Sequence, residues 1–170
     1  MEIILPALAW GVAVFVLFML AAFISRAFNK NKLKAFQAYA KQSIPSVPDG
    51  LEMFAAKQKS KGLKLDIVLI LNDSAKNLVV LQDNKGEEMK HTIHSYTDLV
   101  SADSTDTVIS RGALPKQYSY ERTLTLTVKD GSSYKFIQEY PSNKHGNDKG
   151  SNIVKDIYAP WEAKLKAILE

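Results

Sequence analysis

The sequence predicts an α+β protein with an N-terminal transmembrane helix, a small antiparallel β-barrel or sandwich, and a C-terminal α-helix that caps it. Three observations lead to this fold class. Residues Ile3 to Ile24 form an unbroken apolar run without a charged side chain. Short apolar runs separated by turn residues fill the middle of the chain, which is typical of strands. An apolar stripe at helical spacing ends the chain.

The apolar run is long enough to cross a bilayer as a helix. Its 22 residues would make about 33 Å of helix, and the hydrocarbon core of a bilayer is about 30 Å thick. Five basic residues follow the run: Arg26, Lys30, Lys32, Lys34 and Lys41. Because basic residues mark the cytoplasmic side, we expect a single-pass protein of the inner (cytoplasmic) membrane. Its N-terminus would lie outside and its C-terminal domain in the cytoplasm.

A cleaved signal peptide is the competing interpretation of this run. It needs a basic N-terminal region, an apolar core of about 7–15 residues and a small-residue cleavage site. Only Glu2 and the α-amine precede the run, and Ala21-Ala22 is the only hint of a cleavage site. These features favour the anchor.

The charge distribution divides the chain into three parts. Residues 26–61 carry a net charge of +6, while residues 1–25 and 62–170 each carry −1. Two prolines and an Asp-Gly pair in residues 44–50 cannot continue a helix, so we expect an anchor (1–25), a basic juxtamembrane helix with a Pro-rich linker (26–50) and a β domain (51–170). The basic residues either fix topology or bind anionic lipid headgroups, and residues 27–42 form either a stalk or a helix lying on the membrane. Nucleic acid is not an expected partner, because no basic stripe interleaved with aromatics occurs in the β domain.

The β domain is predicted from alternating and continuous apolar runs. Residues Ile67 to Leu71 are apolar enough to be buried on both faces of a sheet. Further strands are expected at Leu78 to Gln82, Met89 to Ile93, Leu99 to Ala102, Val108 to Ser110, Leu124 to Val128 and Tyr134 to Tyr140. Asp130-Gly131 between the last two predicts a two-residue hairpin turn.

The last segment predicts an amphipathic helix. Its apolar residues recur every three or four positions, and they are Ile153, Ile157, Trp161, Leu165 and Ile168. Pro160 lies inside this pattern, so it should either kink the helix or mark its start near Ala159.

This layout resembles that of bacterial pleckstrin-homology-like (PH-like) domains. The resemblance rests on four segments in order: LDIVLILNDSAKNLVVLQ, YTDLVSADSTDTVISRG, TLTLTVKDGSSYKFI and IYAPWEAKLKAIL. It covers residues 51–170 and implies a binding module that does not catalyse a reaction. It also implies that Trp161 and Leu165 form the part of the core that the helix uses to cap one end of the barrel.

A second basic group precedes the first main strand. It consists of Lys57, Lys59, Lys61 and Lys64, and it is either a basic binding surface or a solvated strand face. The first hairpin, Leu71 to Leu78, offers only Lys76 as a basic residue, which argues against specific phosphoinositide recognition.

The sequence gives no indication of catalysis, and we expect no cofactor and no metal site. His91 and His94 are the tempting pair, but residues three apart on a strand point to opposite faces, so two exposed strand histidines are expected. No nucleophile elbow, phosphate loop or zinc-protease motif occurs. The absence of cysteine excludes disulfides and thiolate metal ligands.

The expected function is a membrane-anchored, non-enzymatic interaction module that presents a PH-like domain to the cytoplasm. The expected partner is a membrane or membrane-proximal protein, which would dock on an exposed strand edge or beside the helix that carries Trp161. The alternatives are an anionic-lipid sensor that uses the basic juxtamembrane segment, and a pilin-like or secretion assembly subunit. The oligomeric state stays open at this point.

Overall fold

The computed structural model describes residues 32–44, 52–60, 63–83, 88–112 and 116–170. The chain forms two compact units, Met1–Ile44 and Pro45–Glu170. In the first unit, residues 32–43 are helical and are called α1. Phe36, Ala40 and Ile44 are buried at spacings of four residues, so α1 is amphipathic.

In the second unit, the described strands form one antiparallel sheet followed by a helix. The strands are β1 (Met53–Ser60), β2 (Leu63–Asn72), β3 (Asn77–Asp83), β4 (Lys90–Ser95), β5 (Leu99–Arg111), β6 (Gln117–Val128) and β7 (Ser133–Ser142), and the helix is α2 (Lys149–Leu169). Their order in the sheet is β4-β3-β2-β1-β7-β6-β5. This arrangement is compatible with a small β-sandwich or PH-like fold.

The core lies between the sheet and α2. Phe54 on β1 is at its centre, because its ring lies 5.8 Å from Phe136 on β7, 4.9 Å from Tyr158 and 5.3 Å from Trp161, both on α2. All four rings are less than a tenth exposed. Aromatic side chains of this size contribute much of the apolar burial that stabilises a small domain.

The prediction that residues Ile67 to Leu71 are buried on both faces of the sheet is confirmed. Ile67 and Leu69 belong to the core cluster. Val68 and Ile70 point to the other face, and they are also at most 1% exposed.

The predicted transmembrane helix is wrong, and so is the predicted location as a single-pass protein of the inner membrane with a cytoplasmic C-terminal domain. No helix in the described residues is long and apolar enough to cross a membrane. The described part of α1, residues 32–43, amounts to only about 18 Å, and α2 carries charged residues along its length, such as Lys155 and Lys164. The apolar run Ile3 to Ile24, on which the prediction rested, lies outside the described residues.

Two strand-level predictions also need correction. The two short strands expected at Leu99 to Ala102 and Val108 to Ser110 are parts of one strand, β5. The β6–β7 turn has three residues instead of two. Val128 N donates to Ser132 O, so residues 129–131 form the loop, and Gly131 takes a φ of +85°. A type I turn with glycine in this left-handed position is typical of three-residue hairpin loops.

The C-terminal helix begins ten residues earlier than the alternative start near Ala159, and Pro160 lies inside it. Its buried face differs from the predicted stripe. Ile157 is 38% exposed, whereas Val154 and Tyr158 are fully buried. Tyr158 lies outside the predicted apolar stripe, but its ring faces the core.

Candidate functional site

The outer edge of β5 is the candidate interaction site. β5 is the terminal strand of the sheet, and no other strand pairs with its outer edge in the described part of the chain. It spans 13 residues, while β4 at the other end of the sheet spans six. Residues 103–108 are all exposed. A long exposed edge is a ready template for pairing with another strand.

Hydrogen bonds beside the β6–β7 turn show which residues of β6 direct their N–H and C=O groups towards β7 and which direct them towards β5. Val128 N donates to Ser132 O at 3.0 Å, so the even-numbered residues of β6 exchange hydrogen bonds with β7. The odd-numbered residues must then face β5. Lys129, just past the end of β6, follows the same rule, because its N–H donates to Asp98 O at 2.9 Å.

The backbone groups on the outer edge of β5 therefore belong to its even-numbered residues. β5 and β6 keep one register from Ser101 opposite Thr127 to Arg111 opposite Gln117, so odd residues of β5 bond to odd residues of β6. The even residues direct their N–H and C=O groups away from β6. They are Ala102, Ser104, Asp106, Val108 and Ser110. Together they form a ladder that an added strand could satisfy.

An ion-pair network holds the middle of β5 against α2. Arg122 on β6 donates to both carboxylate oxygens of Asp106 on β5, each at 3.0 Å. It also donates through Nη2 to both oxygens of Glu162 on α2, at 2.8 and 3.0 Å. Ser104 Oγ donates to the same Glu162 carboxylate at 2.5 Å. Three elements thus share one cation, which fixes β5 relative to the rest of the domain.

The surroundings of Arg122 keep it charged. Its side chain is only 15% exposed, and this burial acts to lower its pKa. The hydrogen bond to Glu162 and the charges of Glu162 and Asp106 act in the opposite direction and prevail, so the pKa is raised above its ordinary value. The guanidinium therefore carries its positive charge in this network.

Tyr158 attaches α2 to the sheet just below this network. Its hydroxyl lies 3.0 Å from Arg122 O on β6 and 2.8 Å from Phe136 O on β7, and it donates to these carbonyls. The residue is fully buried, and burial raises the pKa of its hydroxyl. The Arg122 guanidinium carbon lies 5.7 Å from the ring centroid, a favourable cation–π distance.

The outward face of β5 carries its charged odd-numbered residues. Arg111 donates to Glu139 on β7 at 2.9 Å, next to Glu121, which stands directly opposite Glu139. Arg111 therefore offsets a like-charge pair, while its own side chain stays 54% exposed. The carboxylate of Asp103 is exposed and has no hydrogen-bond or ion-pair partner within the described residues.

The predicted juxtamembrane residues fall partly on α1. Lys32, Lys34 and Lys41 lie on this helix, with the last two exposed. Arg26 and Lys30 lie outside the described residues.

The second basic group is divided between two strands. Lys57 on β1 forms an ion pair with Asp66 on β2, and Lys59 stands opposite Lys64 in the same pair of strands. Lys61 lies outside the described residues. The Lys57 charge is thus matched within the sheet.

The two predicted helix residues are in the core. Trp161 and Leu165 are 8% and 0% exposed, and both belong to the core cluster under α2. The Lys164 ammonium lies 5.3 Å from the Trp161 ring centroid, a favourable cation–π distance.

The two strand histidines point to opposite faces of β4, as predicted. His91 is exposed, but the prediction of exposure is wrong for His94. Its ring is 8% exposed, and Nε2 lies 2.8 Å from the Tyr134 hydroxyl. A buried hydrogen-bonded histidine of this kind stabilises the core. Within the described ranges, no three His, Cys, Asp or Glu side chains cluster so that they could hold a metal ion.

Sequence reasoning did not single out Arg122, Asp106 and Glu162. They are 16 and 40 residues apart along the chain, and no local spacing brings them together. The repeated hydroxyl and β-branched residues of β5, interrupted by Asp103 and Asp106 and ending at Arg111, are the available signal. Comparison of the chain with models of protein families, with curated proteins and with solved structures gives no match.

Proposed function

We propose that this chain is a non-enzymatic protein-interaction module, in which a PH-like β domain takes up an extended segment of a partner protein on the outer edge of β5. The ladder formed by the even-numbered residues of β5 is the observation that carries the proposal. An added strand would satisfy these N–H and C=O groups by backbone hydrogen bonds, and its alternate side chains would give specificity.

The edge of β5 lacks two features that usually block strand addition. Edge strands are commonly protected by proline, lysine, bulges or shortness. Leu99–Arg111 contains neither proline nor lysine, and its only irregularity in the pairing with β6 is between Leu99 and Ser101. The eleven residues from Ser101 to Arg111 keep a regular register with β6, which supports the use of this edge for pairing with another strand.

The edge is also held in place before a partner arrives. Ser104 donates to Glu162 on α2. Asp106 accepts from Arg122 on β6, and Arg122 also donates to Glu162. Binding to a strand that is already ordered avoids part of the conformational entropy that association otherwise costs. This preorganisation supports strand addition over binding to a loop.

Photo-crosslinking of the full chain tests the proposal. A photoreactive residue at Thr105, on the exposed outward face of β5, would be irradiated in extracts of the cells that make the protein. We expect crosslinks to a protein that persist with Val108→Thr and disappear with Val108→Pro. Proline removes an outward N–H and its ring obstructs a neighbouring strand, whereas threonine keeps the N–H.

A photoreactive residue at Lys76, in the exposed β2–β3 turn, serves as the matched control. Its crosslinks should not depend on residue 108. Crosslinks from Thr105 that survive Val108→Pro unchanged would refute the proposed use of the edge.

A further inference from the structure

We infer that the strand added to β5 is the β5 strand of a second copy of this chain, so that two β domains join as a symmetric dimer. This inference rests on the proposed function and names its partner. A two-fold axis makes both copies use the same surface, and two β5 strands related by such an axis run antiparallel. The sheet of one domain would then continue into the sheet of the other.

The direction of the backbone groups limits the register of this pairing. In an antiparallel pair, residues that exchange hydrogen bonds stand directly opposite each other. Since the outward groups of β5 belong to even-numbered residues, even residues must face even residues of the partner. A symmetric pairing is therefore centred on one residue of β5, and the candidates at its exposed centre are Thr105, Asp106, Thr107 and Val108.

The charges of β5 select Thr107 as the centre. With Thr107 opposite the partner's Thr107, Asp103 stands opposite the partner's Arg111, and symmetry gives this pair twice. Opposite charges placed directly across two strands are stabilising. Asp103 has no ion-pair partner among the described residues of its own chain. Arg111 is 54% exposed and has more N–H donors than Glu139 can use.

The other centres lose this complementarity. A centre at Asp106 places two aspartates directly opposite each other, which is destabilising. A centre at Thr105 places Arg111 opposite the partner's Leu99, beyond the irregularity in β5. A centre at Val108 places Asp103 opposite residue 113, beyond the end of β5.

The register centred on Thr107 also uses the whole regular part of β5. Thr105 faces the partner's Ile109, a β-branched pair that suits a strand. The even residues pair as Ser104 with the partner's Ser110 and Asp106 with the partner's Val108. Four such pairs exchange two hydrogen bonds each, about eight in all.

A single introduced cysteine tests this register without interference, because the chain has no cysteine of its own. In the predicted dimer, Thr107 and the partner's Thr107 are a non-hydrogen-bonded pair with Cα atoms about 4.5 Å apart. This distance lies within the range of about 4.4–6.8 Å that a disulfide spans. We expect the full chain carrying Thr107→Cys to form a disulfide-linked dimer under mild oxidation.

Thr105→Cys is the matched control. Thr105 has the same exposed face and residue type, but its two copies would be four residues apart along the strands, about 13 Å. We expect about tenfold less disulfide dimer than from Thr107→Cys, because this separation is too long for the bond. Equal dimer yields from the two variants would overturn the inference.

Exchanging the charges of residues 103 and 111 in the Thr107→Cys variant provides a second test of the same register. Asp103→Arg should reduce the disulfide dimer, since two cations then face each other. Adding Arg111→Asp should restore it, because the opposite charges are present again in exchanged positions. Failure of the second change to restore the dimer, with both variants folded by circular dichroism, would overturn the Asp103–Arg111 register.

The disulfide and photo-crosslinking experiments separate failure of this inference from failure of the proposed function. If Thr107→Cys gives no more dimer than Thr105→Cys while crosslinks from Thr105 to a different protein still depend on Val108, the inference is wrong and the proposed function stands. If the crosslinks from Thr105 also ignore Val108→Pro, both are wrong.

Discussion

Proline substitutions at two neighbouring positions of β5 should differ in how much they destabilise the β domain. Thr107 exchanges backbone hydrogen bonds with Glu121, which stands opposite it on β6. Val108 points its N–H to the outer edge. Thr107→Pro should therefore destabilise the β domain, and Val108→Pro should be tolerated, although the two residues are adjacent on the same exposed strand.

The magnitudes follow from the bonds that each proline removes. Thr107→Pro removes one ladder hydrogen bond, a net loss of about 1 kcal/mol. Its ring also intrudes on the β6 side and disturbs a neighbouring bond, so we expect a total loss of roughly 2–3 kcal/mol. Val108→Pro removes no ladder bond, and the valine side chain is already 37% exposed. Its effect should stay within about 1 kcal/mol, helped by a less flexible unfolded chain.

Urea unfolding followed by circular dichroism measures this difference. The experiment belongs at low protein concentration, where pairing between copies adds little to stability. Thr107→Ala and Val108→Ala serve as controls for the loss of each side chain. Equal losses for the two prolines, or a larger loss for Val108→Pro, would refute the assigned direction of the β5 backbone.

Three further predictions concern the residues that hold β5 and α2 in place. Tyr158→Phe should cost about 0.5–1.5 kcal/mol in thermal unfolding, since its hydroxyl donates to sheet carbonyls; no change in Tm would contradict this role. Arg122→Met should lower the free energy of unfolding by about 1–2 kcal/mol, less than the loss of a fully buried ion pair, because the Glu162 side chain is 28% exposed. A double-mutant cycle with Glu162→Gln should show coupling between the two residues, and additive effects would refute their interaction. Hydrogen bonds from the backbone N–H of Ser151 and other groups lower the pKa of Asp148, the N-cap of α2. Its stabilising effect should therefore be present above the ordinary aspartate pKa and be lost as the pH falls through the lowered value, and Asp148→Ala should remove this part of the acid dependence of unfolding.

Local patterning accounts for the parts of the fold that the sequence predicted well. The alternation of Leu124, Leu126 and Val128 identifies one buried face of β6, because successive strand residues point to opposite faces. The continuous run Ile67 to Leu71 has no exposed face, and the structure buries both. These features depend only on neighbours in the sequence.

The features that define the candidate site depend on contacts between distant segments. The sequence predicts two short strands in place of β5 because the exposed middle of β5 has no alternation of apolar residues. The continuity of β5 comes from its pairing with β6. Arg122, Asp106 and Glu162 meet only after β5, β6 and α2 have packed together. The predicted helix stripe was displaced for a related reason, because the buried Tyr158 carries a polar group that is satisfied by sheet carbonyls.

Residue-resolved amide hydrogen exchange along β5, measured on the full chain over a range of protein concentrations, tests the central claim most directly. We predict that the amides of the odd-numbered residues from Ser101 to Arg111 are protected at every concentration, because they bond to β6. The amides of Ser104, Asp106 and Val108 should gain protection as the concentration rises, and Val108→Pro should abolish that gain at the other two. Even-numbered amides that are already protected at the lowest concentration would contradict the assignment of β5 as a free docking edge, and even-numbered amides that exchange rapidly at all concentrations would contradict the pairing of two copies.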